Sequence, residues 1–351
     1  MRRAADVTAT VGLVAHCGAA QDVRRLTSLA RTIDLHERVN VVARVLAGLA
    51  ATPTVRVRYL REPTCIVERA LAMLAALGAT RPLDARPAGP ASARDAAGTR
   101  AAAAALADEG AACVVTYGGD GTNRAVAAGW PDAVIVPLPG GTNNAFAICV
   151  DPTAAGLAAG LYATRPDPFA ASAGPVPHLS IALDGRPPET AICDAALVTD
   201  RWVGAHAIWE PSRLVEAVVV NGDPAMVGLC GVAGMLMPPA RARSPAVHLR
   251  FGIPGRPILA PIGPGRLVPL SIREVAPLER GETIEMRGPG ALALDGEREI
   301  VLAHGEPASV RLADAGLRVL DAAGLLRAHA RGGPPAAALT QDTCQTTPGG
   351  P

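Results

Sequence analysis

Val114-Val115-Thr116-Tyr117-Gly118-Gly119-Asp120-Gly121-Thr122 runs from a short apolar segment into three glycines interrupted by one carboxylate, and a helical-looking segment follows. The pattern recurs downstream, where Ala133-Val134-Ile135-Val136-Pro137-Leu138 leads into Gly140-Gly141-Thr142-Asn143-Asn144. One Gly-Gly turn after a strand is an ordinary tight connection. Two in tandem are what an open parallel sheet uses to grip phosphates and ribose, because glycine allows close backbone approach and helix N-termini favour anions. Asp120 cannot meet a phosphate directly, since two anions repel. It needs a metal, a proton or a hydroxyl between them, and that points to phosphoryl transfer involving a hydroxyl group.

Gly118-Gly119-Asp120-Gly121-Thr122 resembles the GGDGT motif shared by NAD kinases, diacylglycerol kinases and sphingosine kinases. Gly141-Thr142-Asn143-Asn144-Ala145-Phe146 is similar to the GTNN-type turn of the ATP–NAD kinase relatives typified by acetoin-catabolism protein X. Asp22-Val23-Arg24-Arg25-Leu26 and Asp34-Leu35-His36-Glu37-Arg38-Val39 resemble the amino-terminal signature of that branch. Ala207-Ile208-Trp209-Glu210-Pro211-Ser212-Arg213-Leu214 and Leu292-Ala293-Leu294-Asp295-Gly296-Glu297-Arg298-Glu299 resemble its carboxy-terminal segments, so the resemblance covers nearly the whole chain. One departure stands out. Relatives usually carry an Asn-Pro-x-Ser-Gly-type turn after the first strand, whereas this chain has Ala15-His16-Cys17-Gly18-Ala19-Ala20, without the asparagine and serine side chains.

The resemblance implies an NAD kinase-like α/β fold that uses ATP or another NTP together with Mg2+. It implies that Asp120 contacts the acceptor hydroxyl, as general base or as organiser of the metal. Gly118, Gly119 and Gly121 are expected to offer amides to the donor phosphates, with Thr122 adding a hydroxyl and Asn123 completing that loop. In the second loop Gly141, Thr142, Asn143 and Asn144 are candidates for ribose or base contacts, and both asparagines equally suit a left-handed turn. Asp295-Gly296-Glu297 is similar to a turn that related lipid kinases place near metal and phosphates, which makes Asp295 and Glu297 binding candidates and Asp295 a possible metal ligand. Asp-Gly between β-like residues is also a hairpin signal, and both readings can hold. Arg24, Arg25 and Arg124 are the cations nearest in sequence to these loops. Trp209 and Glu210 could wall a base and its sugar, and His16 is a lone histidine without a visible partner.

The chain has 351 residues, a net charge of +1 and 49% hydrophobic residues, enough for two cores and without the basic excess of a non-specific nucleic-acid binder. It contains no lysine, so a Walker-type P-loop and a protein-kinase fold are excluded as ordinarily built. Phosphate charge must be met by arginine, backbone amides or a divalent cation. The seven cysteines are scattered with no Cys-x-x-Cys pair and read as reduced packing residues of a cytoplasmic protein. No apolar run is long enough to span a bilayer, and Met1-Arg2-Arg3-Ala4-Ala5-Asp6 lacks the apolar core of a signal peptide.

Along the chain, Val11 to Ala15 reads as a buried strand, Val39 to Leu49 as a helical stripe, Val55 to Leu60 as a strand and Ile66 to Leu77 as a buried helix. Ala101 to Leu106 reads as helix closing at Gly110, before the strand Ala112 to Tyr117. The alternation predicts an N-terminal doubly wound parallel α/β domain over 1–150, with both glycine loops at carboxyl ends of strands. After the helix Ala154 to Tyr162, short apolar runs separated by proline and glycine predict a mostly β domain over 151–330: His178 to Leu183, Ala195 to Val198, Val247 to Phe251, Ile258 to Ala260 and Leu267 to Leu270. The active site is expected in the cleft between the domains. The tail over 331–351 has the composition of a disordered segment.

The expectation is a two-domain kinase acting on a small-molecule nucleotide or nucleoside, with the adenosine-ribose 2′-hydroxyl of NAD as leading acceptor. A ribose hydroxyl of another nucleoside or nucleotide is the alternative, followed by a lipid acceptor and by a catalytically silent nucleotide-binding protein. A homo-oligomer is expected, with no nucleic-acid partner and no stable membrane insertion.

Overall fold

The computed structural model of the protein describes residues 8–17, 28–78, 81–90, 92–142, 144–199, 211–238, 246–313 and 316–332. Five parallel strands open the fold: β1 (Ala9–Ala15), β2 (Val55–Leu60), β3 (Asp84–Ala88), β4 (Ala111–Gly118) and β5 (Val134–Pro139). Their spatial order is β3-β2-β1-β4-β5, with Leu13 opposite Tyr59 and Val115 opposite Val136. The order reverses between β1 and β4, and in a doubly wound sheet that reversal leaves a crevice outside the carboxyl ends of the strands.

The helices follow from period and caps. In α1 (Leu35–Ala50) the Asp34 carboxylate accepts the Glu37 N–H at 2.8 Å, and Val39, Val42, Val45, Leu46 and Leu49 form the buried stripe. The next helices are α2 (Ile66–Leu77), α3 (Ala96–Asp108), α4 (Asp120–Gly129) and α5 (Pro152–Thr164). α1 and α5 cross closely enough that a Cβ on Gly48 would stand 2.1 Å from the Thr153 carbonyl oxygen, so only glycine fits there. Helices α1, α2 and α5 cover one face of the parallel sheet, and α3 and α4 cover the other.

The rest of the chain is mostly β, as the short apolar runs predict. The parallel sheet gains two strands from it, with β17 (Arg318–Leu320) lying parallel to β5 and β6 (Ala173–Pro175) antiparallel beyond it. A four-stranded antiparallel sheet holds β7 (His178–Leu183), β8 (Glu189–Ala191), β13 (Thr283–Arg287) and β16 (Pro307–Ala313). A six-stranded antiparallel sheet holds β9 (Asp194–Val198), β10 (Leu214–Val220), β11 (Ala246–Gly263), β12 (Arg266–Leu278), β14 (Gly290–Leu294) and β15 (Glu297–Leu302). The core beneath α3 and α4 continues into this sheet through Ile192, Ala196, Val219 and Leu249, joining the parallel layer to the β half. A third core, including Leu179, Ile181, Val218, Leu292 and Val310, lies between the two antiparallel sheets. Helix α6 (Leu229–Leu236) packs on β10 and β11, and α7 (Ala322–Ala330) returns to α5.

Two expectations are revised. The runs around Val247, Ile258 and Leu267 are parts of two long strands, because the chain leaves the ladder over residues 252–255 and resumes with Arg256 opposite Ile272. The packing role expected of the cysteines fits Cys113, Cys193 and Cys230, while Cys65 and Cys149 are exposed. Burial pushes the Cys113 thiol up to about 12, which keeps it inert. The expected tail lies outside the described residues beyond Gly332, and no helix among the described residues is long and apolar enough to cross a membrane.

Candidate active site

The two glycine loops leave the carboxyl ends of neighbouring strands β4 and β5 and pack against each other. The Gly140 N–H donates to the Gly118 carbonyl at 2.9 Å, and a Cβ on Gly141 would stand 2.4 Å from the Gly119 Cα. Thr122 lies over Gly118, where a Cβ would meet its Oγ1 at 2.4 Å, so each glycine is the space its neighbour occupies. Helix α4 begins at this junction with Gly119 as its N-cap and no side chain capping it. Its first amides and its dipole favour an anion there. Thr142 in the second loop is nine-tenths buried, and its Oγ1 has no hydrogen-bond partner among the described residues. A buried hydroxyl left unpaired is costly, and it marks a position where a ligand atom would restore the bond.

Asp120 is buried. Its carboxylate accepts the backbone N–H groups of Ala145 and Phe146, both at 3.1 Å, and so ties the start of α4 to the second loop. Asn123 also turns inward. It accepts the Thr116 hydroxyl at 2.5 Å and donates to the Gly119 carbonyl at 3.2 Å, which engages both ends of the amide inside the chain rather than on a nucleotide. Asn144 accepts the Gly141 N–H at 2.8 Å and donates back to its carbonyl at 3.0 Å, the turn-forming role of the two open for it. Asn143 lies outside the described residues, as do Arg24, Arg25, Trp209 and Glu210.

The Asp295-Gly296 turn joins β14 to β15 with positive φ at both residues, 52° and 78°, and brings a second set of carboxylates to α4. Asp295 points inward and accepts the N–H groups of Ile192, Cys193 and Asp194 at 2.7 to 3.2 Å, while its Oδ2 stands 3.3 Å from Arg124 Nε on α4. Burial pushes its carboxyl up to about 8 against the pull of Arg124, and the neighbouring carboxylates of Asp194 and Asp120 add to the rise. As a metal ligand Asp295 would have to abandon these partners. Glu297 is different. Its carboxylate is partly exposed, 3.8 Å from Arg124 Nη2, and lies 3.5 Å from where a Cβ on Gly121 would stand, over the N-terminus of α4. The Asp295–Glu297 turn thus meets α4 at its N-terminal end.

Mg2+ typically takes one or two protein carboxylates plus phosphate oxygens and water, so it needs no dedicated cage. Among the described residues no group of three His, Cys, Asp or Glu side chains is placed to hold a metal by itself. Glu297, the carboxylate with an open face over the N-terminus of α4, fits an ion that arrives with a nucleotide.

At the end of β1 the His16 N–H donates to the Tyr117 carbonyl at 3.3 Å, which holds the end of β1 beside β4 at the sheet's reversal point. Burial lowers the His16 pKa, with Glu62 opposing and Arg38 adding to the fall. The buried Arg38 guanidinium donates to the carbonyls of His16, Cys17 and Ile33, a strut that composition and spacing did not single out. The orphaned Thr142 hydroxyl was likewise invisible beforehand, since only the packed loop shows that no described residue reaches it.

Residues 177–315 match the family model of the acetoin catabolism protein X C-terminal domain. The chain is 34% identical over 338 residues to "Acetoin catabolism protein X" of Cupriavidus necator, covering 92% of this chain and 93% of that protein. Among solved structures, a putative diacylglycerol kinase from Bacillus anthracis str. Sterne covers 89% of this chain and 96% of its own at 13% identity, with a TM-score of 0.47. Yeast NADH kinase complexed with NADH covers 89% of this chain and 83% of its own at 12% identity, with a TM-score of 0.40.

Proposed function

The chain belongs to the acetoin catabolism protein X family, and from that footing we propose that it is a phosphotransferase moving a phosphoryl group from ATP or another NTP to an alcohol hydroxyl. The leading acceptor is the 2′-hydroxyl of the adenosine ribose of NAD. The observation that carries the reading is the buried hydroxyl of Thr142, unpartnered among the described residues, in a glycine loop packed against the uncapped N-terminus of α4.

Each part of the junction has a task in such a transfer. The α4 N-terminus and the Gly119–Gly121 backbone receive donor phosphates. Thr142 supplies a hydroxyl to phosphate or ribose. Asp120 sets the spacing of the two loops, and its charge excludes a bare phosphate. Glu297, with an open face over Gly121, is the carboxylate able to meet an acceptor hydroxyl or share the nucleotide's magnesium. The metal, when bound with the nucleotide, supplies neutralisation of the transferred charge that a lysine-free chain does not provide. A ribose hydroxyl of another nucleoside or nucleotide is the second reading. It is favoured by the first loop, where Ala15-His16-Cys17-Gly18-Ala19-Ala20 lacks the asparagine and serine side chains of the turn it corresponds to.

Thr142→Val tests the site. The change keeps shape and removes an unpaired hydroxyl, so the free protein should be as stable or slightly more so, while nucleotide affinity should fall roughly tenfold to a hundredfold for a lost bond to a charged group. Calorimetric titration with Mg-ATP reads the affinity, and a variant that binds as tightly as the parent removes the reading's main support.

A further inference from the structure

The geometry points to the outer half of the β11–β12 ribbon as a docking face for an anionic lipid bilayer surface. A strand with one face on the core normally shows polar residues on the other. Here Ile258, Ala260, Leu270 and Ile272 turn toward the core, and the register places Leu259 opposite Pro269 and Pro261 opposite Leu267 on the opposite face. Leu259 is 59% exposed and Leu267 62% exposed, neighbours on that outward face. Ile253, on the crest of the 252–255 excursion, is 88% exposed, and Leu29, whose N–H donates to the Pro264 carbonyl at the ribbon tip, is 82% exposed. These are four of the eight large apolar side chains that stand exposed among the described residues, gathered on one arm.

Charge selects the occupant. From Phe251 to Arg273 the sequence has arginines at 256, 266 and 273 and no aspartate or glutamate. Arg256 and Arg273 are exposed and have no carboxylate partner among the described residues. The register sets Arg256, opposite Ile272, on the side of the ribbon away from Leu259, so apolar side chains with guanidinium groups behind and beside them match a bilayer with anionic headgroups, where leucine and isoleucine enter the acyl boundary and arginine stays at the phosphates. A second copy fits less well. Seven ribbon residues span about 23 Å, and a face of that length and about 10 Å width falls far below the roughly 800 Å² each partner contributes to a stable interface. Two such faces would also oppose like charges, and Pro269 and Pro277 interrupt the donors of the outer edge strand. Single-stranded nucleic acid would want aromatic platforms, and the one aromatic residue of the segment, Phe251, is buried.

The test uses the full chain without nucleotide, so it is independent of the kinase reading. Co-sedimentation is measured with phosphatidylcholine vesicles with and without phosphatidylglycerol. Binding is expected only with the anionic lipid and should weaken as salt rises. The double variants Leu259→Ser/Leu267→Ser and Arg256→Gln/Arg273→Gln should each lose binding by roughly tenfold or more, with unfolding midpoints unchanged because the positions are exposed. No binding to anionic vesicles, or binding that both variants leave intact, overturns the proposal. So does light scattering that shows a dimer which the leucine variant turns into a monomer.

Discussion

Gly141 lies so close to Gly119 that a methyl group on the former would stand 2.4 Å from the Cα of the latter. The contact is backbone against backbone, so neither loop can yield by turning a side chain. Gly141→Ala must therefore separate the two loops. A loss of roughly 1–3 kcal/mol of stability is expected from the overpacking, with a larger proportional loss of nucleotide binding. Gly174, with nothing within 4 Å of its Cβ position, is the control, and Gly174→Ala should change neither quantity. Urea unfolding with parallel ligand titration checks both, and equal effects from the two substitutions would refute the loop geometry.

Asp120 joins the same loops by charge. Its oxygens accept the N–H groups of Ala145 and Phe146, and in Asp120→Asn one of those N–H groups faces an amide that cannot accept. The buried donor left unpaired costs about 1–3 kcal/mol. Phosphoryl transfer should fall on the order of a hundredfold or more, since both the charge and the loop spacing change. A folded variant with near-parental turnover would remove Asp120 from the chemistry.

Asp295 makes a pH-dependent contribution. Its carboxyl is raised from 3.8 to about 8, so the folded state holds the proton more tightly than the unfolded chain does. The stability it supplies is complete below the unfolded value and is lost as pH rises through the folded one. The unfolding free energy of the parent, measured relative to Asp295→Asn, should therefore decline from about pH 4 to about pH 8. A difference that stays flat or rises across that window contradicts the assignment.

Much of the frame was legible because local patterns decided it. Val55 to Leu60 alternates and forms β2, Ile66 to Leu77 is apolar at helical spacing and forms α2, and Asp295-Gly296 makes the hairpin turn its residue types favour. The glycine loops were readable for the same reason. What stayed hidden depends on contacts distant in sequence. Nothing near Asp120 shows that the amides of residues 145 and 146 fold back onto it, and nothing near Arg124 shows that it faces Asp295. The apolar face of the β11–β12 ribbon escaped because proline and glycine break its alternation in sequence while the ladder continues in space.

The acceptor is the last question the junction can be asked. If the Gly140–Asn144 loop and Glu297 meet an adenosine-type ribose, the 2′-hydroxyl is the group positioned for transfer. A 2′-deoxy analogue should then bind with modest loss and receive no phosphate. A site built to hydrogen-bond a hydroxyl leaves its own polar groups unpaired when that hydroxyl is missing, and discrimination can reach roughly ten-thousandfold. The comparison works equally for NAD and for a free nucleoside, so it separates the position of transfer from the identity of the molecule. Phosphorus NMR of the product assigns that position. Phosphate on a 5′- or 3′-hydroxyl, or on a glycerolipid, would discard the ribose 2′-hydroxyl and leave the phosphotransferase reading, which rests on the loops and on Thr142, intact.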